Sequence, residues 1–315
     1  MKSLAIVIPA YKITFFNETL KSLASQSNKD FTVYVGDDCS SNDFMSIIEQ
    51  YKNDIDIIYH RFDMNLGGKD LVGQWARCIE LTRNEPWIWL FSDDDIIGEN
   101  CVDLFLKSEK ESFDIFHFNV RIIDKENNIL KKSQPFPEII SGRNFLIRKQ
   151  CAKLDSFVVE YIFSRKIYEE QHGFQNFPMA WGSDIATWTK FASYKGIKTI
   201  TGDFVYWRQS NVNITPQRDR SIVIRKMRIE TDYYVWAKNF FHGSLNNYVK
   251  YFFIRSLVFY SPYLKYNDLN FAIKYAYRKK ILNALEERLL LLSYPLIKIV
   301  KYSRDIKIKD IHNWL

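Results

Sequence analysis

Three consecutive aspartates, Asp93–Asp95, are the residues of this sequence that most directly suggest chemistry. They follow the apolar run Trp87–Phe91, which predicts a buried strand. Carboxylates this close repel one another, and one would take up a proton unless a cation lay between them. Mg²⁺ and Mn²⁺ prefer oxygen ligands and also bridge phosphate oxygens. The run therefore predicts either a divalent-metal site or, as the alternative, a solvated acidic turn.

A second acidic pair, Asp37-Asp38, ends another apolar strand, Phe31–Val35. One of these carboxylates could accept a hydrogen bond from a ribose hydroxyl or a base N–H. The alternative is an ordinary turn in which an aspartate caps the next helix. Ligands of parallel sheets bind at the carboxyl ends of the strands. Two acidic strand ends on one such edge favour a ligand site.

These aspartates must be positioned by the first 120 residues, in which predicted strands and helices alternate. That order predicts an α/β fold with a parallel sheet covered on both faces. The predicted strands are Leu4–Ile8, Phe31–Val35, Ile55–Tyr59 and Trp87–Phe91. The part from 121 to 215 is mixed, with a hairpin around Asn127-Asn128, a helix capped by Ser141, a strand Asp155–Phe163, a helix beginning at Asp184 and an extended stretch Ile197–Trp207.

Four segments, in this order, resemble the signature of family 2 glycosyltransferases with the GT-A fold: Ala5–Tyr11, Val35–Asp43, Asn65–Gly67 and Trp89–Asp95. Each is weak alone, but four in the right order within the first 95 residues are specific. The resemblance implies a Rossmann-like, mixed but mainly parallel sheet flanked by helices, followed by a C-terminal helical region. It also implies a nucleotide-sugar donor, with UDP favoured.

The same resemblance implies roles for individual residues. Donor-binding residues would be Pro9 and Tyr11 at the base, Asp38 at the base or ribose, Lys69 at the diphosphate or base, Asp93, and Asp94 near the ribose or sugar. Arg208 would meet phosphate oxygens or, as the alternative, be an ordinary surface arginine. Asp93 and Asp95 would bind the divalent metal, Mn²⁺ or Mg²⁺.

The resemblance returns at Trp181–Asp184, where the family has a Glu-Asp pair. Asp184 would be the general base that deprotonates the acceptor hydroxyl, with inversion at the sugar. Ser183 replaces the family's glutamate, so the surroundings that tune Asp184 differ. Residues 206–215 resemble a loop that closes over the diphosphate, without the histidine often found there. Trp181 and Trp207 could stack on an acceptor sugar or simply be core residues.

Charge is unevenly distributed along the chain. Residues 216–315 carry 19 Lys/Arg against 8 Asp/Glu, a net charge of +11, within a chain of net charge +7. We therefore predict a GT-A domain over 1–215, with a nucleotide-binding half 1–120 and an acceptor-side half 121–215, and a basic, aromatic-rich helical region over 216–315. That region could lie on an anionic membrane surface, where a lipid-linked acceptor would be found. The alternative is a helical subdomain with a solvated basic face.

Composition limits the remaining classes. We find no secretory signal and no apolar stretch near the ~20 residues of a membrane span. The four cysteines do not have the spacing of a metal site. We therefore expect a cytoplasmic protein, which could also lie peripherally on the inner face of the membrane. A sugar nucleotidyltransferase would normally show a glycine-rich loop after the first strand, which is missing here. A non-catalytic nucleotide- or polyanion-binding module is the other alternative, and we expect no nucleic-acid partner.

Overall fold

The computed structural model describes residues 2–209 and 219–293. The chain divides into two compact units, Met1–Asn211 and Val212–Leu315. Residues 210–218, which include most of the predicted diphosphate loop, and residues 294–315 lie outside the described part.

In the described part of the first unit, ten strands form one sheet. They are Leu4–Ala10 (β1), Phe31–Asp37 (β2), Asp56–Arg61 (β3), Trp87–Leu90 (β4), Ile96–Ile97 (β5), Ile115–Ile123 (β6), Ile129–Lys132 (β7), Ile139–Ile140 (β8), Tyr161–Ser164 (β9) and Ile197–Arg208 (β10). The order is β3-β2-β1-β4-β9-β6-β10-β5, with β7 on β6 and β8 on β10. The first four strands are parallel, and β9 runs antiparallel to both β4 and β6.

Helices flank this sheet. They are Phe16–Ala24 (α1), Phe44–Ile48 (α2), Leu71–Ile79 (α3), Cys101–Leu106 (α4), Gly142–Gln150 (α5), Arg165–Glu170 (α6) and Ser183–Phe191 (α7). Four of them, α2, α3, α5 and α6, begin at a polar side-chain cap. Asp43 caps α2 and Asp70 caps α3 by accepting the Ser46 and Gly73 N–H groups at 3.2 and 3.0 Å. A capping side chain satisfies an amide that the helix leaves unpaired, which fixes where the helix starts.

The core lies on both faces of the sheet, as β1 shows. Leu4, Ile6 and Ile8 belong to the apolar cluster on one face, with residues of α1, α2 and α4. Ala5 and Val7 belong to the cluster on the other face, with residues of α3, α5 and α7. Side chains of a strand alternate between the faces, so a strand covered on both sides must be apolar throughout. This explains the uninterrupted apolar run at the start of the sequence.

The four parallel strands and the hairpin of β6 with β7 lie where the sequence predicted them, within one or two residues. Two details differ. The strand predicted over Asp155–Phe163 is only Tyr161–Ser164, because residues before it form a loop held by side-chain hydrogen bonds. Helical spacing from Asp184 predicts that Ile185, Trp188, Phe191 and Ala192 lie on the inner face of α7. Ile185 is only half-buried in the structure, whereas Thr187 and Thr189 face the interior.

The described part of the second unit is helical, with Arg220–Phe240 (α8), Asn246–Tyr260 (α9), Tyr266–Arg278 (α10) and a further helix over 284–293. Arg220 forms a bidentate ion pair with Asp268, with both distances 2.7 Å. Tyr275 donates to Asp232 at 2.8 Å, which ties α10 to α8. None of the helices described here combines the length and the apolar character needed to cross a bilayer.

Candidate functional site

The two acidic strand ends meet at the carboxyl edge of β1, β2 and β4. Asp93 Oδ2 accepts the backbone N–H groups of Tyr11 and Lys12, both at 2.7 Å. The Asp38 N–H donates to the Ala10 carbonyl at 2.8 Å. The segment that follows β1 is therefore held between both acidic strand ends. The structure brings Tyr11, Asp38 and the acidic run together, as the sequence predicted from strand order.

The three aspartates of the run have different surroundings. Burial raises the pKa of Asp93 to about 6, the Asp94 charge adds to this, and the two N–H bonds oppose it. Asp95 is 1% exposed, and its two oxygens accept from the Ser92 hydroxyl and the Arg208 backbone N–H, each at 2.6 Å. Asp94 is half-buried, and its carboxylate has no hydrogen bond or ion pair with any described residue.

The side chain of Arg208 bonds to the backbone of the acidic run and to neighbouring residues. Its Nε donates to the Asp94 carbonyl at 2.8 Å, and its Nη2 forms an ion pair with Glu18 at 2.8 Å. Its Nη1 donates to the Asp124 carbonyl at 2.9 Å, and the guanidinium lies 4.1 Å from the centre of the Phe15 ring. Because this guanidinium bonds to protein groups, the structure does not present it to a phosphate. The contact of Arg208 with the diphosphate therefore remains a prediction. It would require the guanidinium to give up some of its bonds to protein groups.

Asp38 is buried and accepts four hydrogen bonds. Oδ1 accepts from the Leu66 N–H at 2.7 Å and from Arg77 at 2.5 Å. Oδ2 accepts from the Gly67 N–H at 2.8 Å and from the Asn65 amide at 2.9 Å. A carboxylate with two donors on each oxygen is saturated. In this structure Asp38 thus shapes the loop 65–67, and a base or ribose would need to replace one of these donors.

The predicted helix-capping role of the Asp37-Asp38 pair does not occur, because Asp43 caps α2. Asp37 instead accepts from the Ser40 N–H at 2.8 Å and from the Tyr59 hydroxyl at 2.7 Å. Burial and that bond raise the pKa of Tyr59.

The other predicted donor contacts lie at accessible positions around this edge. The side chain of Tyr11 is half exposed, Pro9 is half-buried and Lys69 is exposed. Asn42 donates to the Tyr11 carbonyl at 3.0 Å and so helps to fix that segment. All three positions are therefore accessible to a ligand from solvent.

Asp184 lies in the first turn of α7, and the segment before that turn contains three residues with positive φ. Gly182 precedes the helix at φ 82°, and Met179 and Ala180 also have positive φ, 62° and 53°. Such conformations are costly for residues with a Cβ and concentrate at functional sites. Just upstream, Asn176 donates to the Asp70 carboxylate at 3.0 Å, which ties this segment to the one that carries Lys69.

Glu160 is a candidate that sequence reasoning missed. It is fully buried, its Oε1 accepts from the Phe157 N–H at 2.5 Å, and its Oε2 has no partner among the described residues. Burial raises the pKa of Glu160 to about 8, and the nearby Asp184 charge contributes. Burial also raises the pKa of Asp184, opposed mainly by Lys149. Glu160 therefore places a second carboxyl near Asp184, although residue 183 is a serine.

Phe157, whose N–H bonds to Glu160, contacts two tryptophans. Phe157 stacks on Trp207 with ring centres 4.2 Å apart, and the Trp188 indole donates to the Phe157 carbonyl at 3.3 Å. Trp188 is a core residue of α7, whereas Trp181 and Trp207 are half-buried. Trp207 thus packs on the residue whose N–H bonds to Glu160, and its stacking on an acceptor sugar stays a prediction.

No three His, Cys, Asp or Glu side chains converge on a metal position within the described ranges 2–209 and 219–293. This fits a metal that is held in part by the substrate, since Mg²⁺ is commonly bound by one or two carboxylates together with substrate phosphates. Asp94 and the second oxygen of Asp93 are the donors of the acidic run that suit such an ion.

The chain is similar to known proteins in both sequence and fold. Residues 5–170 match the family model described as glycosyl transferase family 2. A GalNAc(5)-diNAcBac-PP-undecaprenol beta-1,3-glucosyltransferase of Campylobacter jejuni is 22% identical over 68% of this chain and 68% of its own length. The poly(ribitol-phosphate) beta-N-acetylglucosaminyltransferase TarS of Staphylococcus aureus is 30% identical over 39% of this chain, a match that spans 21% of TarS.

Two solved structures share the fold. TarS 1-349 in complex with UDP-GlcNAc superposes with a TM-score of 0.57 at 16% identity, covering 94% of this chain and 92% of that one. GalNAc-T7 with UDP, GalNAc and Mn²⁺ gives 0.51 at 9% identity, covering 73% of this chain and 47% of that one. The predicted fold class, a mainly parallel mixed sheet with flanking helices and a helical C-terminal region, is confirmed.

Proposed function

Because this chain belongs to glycosyl transferase family 2, and is a glycosyltransferase of the GT-A fold, we propose that it transfers a sugar from a UDP-linked donor to an acceptor hydroxyl with inversion. The observation that carries the proposal is the carboxyl edge of the sheet, where Asp93 holds the backbone of Tyr11 and Lys12. The acceptor would be a glycan or a lipid-linked saccharide of the cell envelope, by analogy with the undecaprenol-linked and poly(ribitol-phosphate) acceptors named for its relatives.

The donor would lie across this edge. Pro9 and Tyr11 would line the base, the loop shaped by Asp38 would border the base and ribose, and Lys69 would approach the diphosphate. The predicted GT-A domain, residues 1–215, would thus contain the donor half over 1–120 and the acceptor half over 121–215. Relatives of this fold solved with UDP-GlcNAc, and with UDP and Mn²⁺, support a UDP-linked donor.

A Mn²⁺ or Mg²⁺ ion bound here would offset the charge that builds up on the departing diphosphate. The sequence predicted Asp93 and Asp95 as its ligands. Since both oxygens of Asp95 accept hydrogen bonds and the residue is buried, we assign Asp95 a positioning role. We assign the ligand role to Asp94, with the unbonded oxygen of Asp93 beside it. Arg208 would hold the run in place through the Asp94 carbonyl.

Asp184 would act as the general base. The acceptor oxygen forms a bond to the anomeric carbon while the bond from that carbon to the diphosphate oxygen breaks. The acceptor proton passes to the Asp184 carboxylate, and the electron pair leaves with UDP. Attack opposite the leaving group inverts the sugar carbon. A raised pKa suits this task because it makes the carboxylate a stronger base.

The test has two measurements on Asp184→Asn: transfer rate, as UDP release with acceptor, and UDP affinity. We expect the rate to fall roughly 10²–10⁴-fold, as is typical when a general base is lost, and UDP affinity to be unchanged. Asp103→Asn is the matched control, because Asp103 occupies the first turn of α4. A variant that transfers within about threefold of the parent would remove Asp184 from the mechanism.

The donor itself is identified by a screen of UDP-GlcNAc, UDP-glucose, UDP-GalNAc and GDP-mannose with Mn²⁺ and acceptor, in which nucleotide release is measured. We expect release from a UDP-sugar and none from GDP-mannose. UDP alone should raise the melting temperature, as any ligand of the native state does.

A further inference from the structure

The second unit contains a cavity of about 620 Å³ with a strongly basic wall. It lies where the end of α8, the start of α9, the end of α10 and residues 280–283 come together. Four cationic side chains line it, Lys238, Lys250, Arg278 and Lys280, and its described lining includes no carboxylate. Cavities of this size are typical of small-molecule sites.

Two of the four cations already bond to the protein. Lys238 donates to the Lys280 carbonyl at 2.9 Å, and Lys250 forms an ion pair with Glu286 at 2.7 Å. Arg278 and Lys280 have exposed side chains and no ion pair with any described residue, and the Arg278 guanidinium lies 5.8 Å from the centre of the Phe271 ring. Their charge is therefore available to a ligand from solvent, and positively charged concave surfaces concentrate anions.

Polar donors and an apolar wall complete the cavity. Asn246 and Asn247 line it as the first residues of α9, a 15-residue helix whose preceding residue, Leu245, provides no side-chain cap. The N-terminus of a helix carries partial positive charge and amide donors, which favour phosphate groups. Val249, Ile281 and Leu282 add apolar surface that could pack on the carbon part of a ligand.

We propose that this cavity is a binding site for a phosphate ester, with Arg278 and Lys280 contacting the phosphate oxygens together with the amide groups of Asn246 and Asn247. Guanidinium and amide groups match the geometry of phosphate oxygens. The proposal deepens the anionic partner suggested for the basic C-terminal region, because it names the site and the chemical group. All residues of this site belong to the second unit, whereas the donor-site residues belong to the first.

The test uses the full chain and two probes, glycerol 3-phosphate in calorimetric titration and phosphatidylglycerol vesicles in sedimentation. We expect Arg278→Gln/Lys280→Gln to weaken binding at least tenfold. The matched control, Arg225→Gln/Lys274→Gln, also removes one arginine and one lysine, both exposed and outside the cavity, and should change binding less than twofold. Lys280→Gln alone should give an intermediate loss.

The outcomes separate the sources of the phosphate. If Arg278→Gln/Lys280→Gln, and not the control variant, loses binding to glycerol 3-phosphate, the ligand is a water-soluble ester. If it loses binding only to the vesicles, the ligand is a lipid headgroup. No binding of either probe, or equal weakening in the cavity and control variants, overturns the proposal. Stabilisation of each variant by UDP and Mn²⁺ is measured in parallel. Its persistence shows that failure at the cavity leaves the glycosyltransferase proposal standing.

Discussion

At the scale of single residues, neighbours in the sequence have very different tasks. Asp94 and Asp95 are adjacent, yet one carboxylate is accessible and the other accepts two hydrogen bonds inside the protein. The sequence could identify the acidic run but could not rank its members, because the deciding donor, the Arg208 N–H, comes from a residue 113 positions away. Only the folded chain shows which oxygens remain available.

We predict that Asp94→Asn abolishes the Mn²⁺-dependent part of the thermal shift caused by UDP, while its melting temperature without ligand stays close to that of the parent. Asp95→Ala should lower the stability of the unliganded protein by about 1–3 kcal/mol, because it leaves a buried N–H and a hydroxyl unpaired. Differential scanning fluorimetry with and without Mn²⁺ and UDP measures both. Glu111→Gln, an exposed acid outside the site, is the control. Retention of the Mn²⁺-dependent shift by Asp94→Asn would contradict the ligand assignment.

Glu160 is the residue that no sequence pattern revealed. A single glutamate after Phe157-Val-Val159 resembles an edge residue of a strand, and its burial depends on β6, which is distant in sequence. Its pKa of about 8 lies above the ordinary value of 4.5, so the folded protein binds a proton that the unfolded chain has lost over this range. Stability that depends on the neutral form is present below pH 4.5 and is lost as the pH rises towards 8.

The corresponding prediction concerns Glu160→Gln, which retains the acceptor for the Phe157 N–H but cannot ionise. Its free energy of unfolding should exceed that of the parent by an amount that grows between pH 5 and pH 8, by at most about 1.4 kcal/mol per pH unit. Below pH 4.5 the difference should be constant. Urea unfolding at several pH values measures this. A difference that does not change with pH would show that Glu160 does not titrate as described.

At the scale of elements, the parallel half of the sheet could be predicted and the antiparallel insertion could not. Continuous apolar runs ending in Pro9, Asp37 and Asp93 define strands and their carboxyl edge from local sequence alone. The pairing of β9 between β4 and β6 has no local signal, since it joins residues about 75 and 45 positions apart. Local sequence therefore predicts which strand ends form this edge, whereas it does not predict the surroundings of Asp184.

The start of α7 offers a test at this scale. Gly182 has φ 82°, which a residue with a Cβ adopts at a cost of roughly 1–2 kcal/mol. We predict that Gly182→Ala lowers the transfer rate with little change in UDP affinity, because the first turn that carries Asp184 must shift. Gly173→Ala is the matched control, since Gly173 has φ 74° and a new Cβ there would meet only ordinary contacts. Equal loss of rate in both variants would mean that strain alone, and not the position of Asp184, explains the effect.

At the scale of the whole molecule, charge follows the division into units. Residues 216–315 have a net charge of +11, whereas the preceding 215 residues have a net charge of −4. The first unit can therefore bind a donor whose phosphates are neutralised by a metal, and the second can attract anionic surfaces. We propose that the chain works at the inner face of a membrane, where lipid-linked acceptors lie. The basic surface would then raise the local concentration of acceptor without contributing to the chemistry.

This assignment predicts how the full chain binds lipid vesicles. Each Lys or Arg near an anionic surface contributes about 1 kcal/mol, within a range set by the Debye length, which shrinks from about 10 Å at 0.1 M salt to about 3 Å at 1 M. Binding to vesicles that contain phosphatidylglycerol should therefore increase with the anionic fraction and fall steeply with NaCl. Phosphatidylcholine vesicles of the same size are the control and should bind little protein. Binding that is equal on both lipids, or that persists at 1 M NaCl, would point to apolar insertion by aromatic residues such as Tyr251 and Phe259, which are exposed on α9. Binding to neither lipid would leave the basic face as a solvated surface of the helical unit.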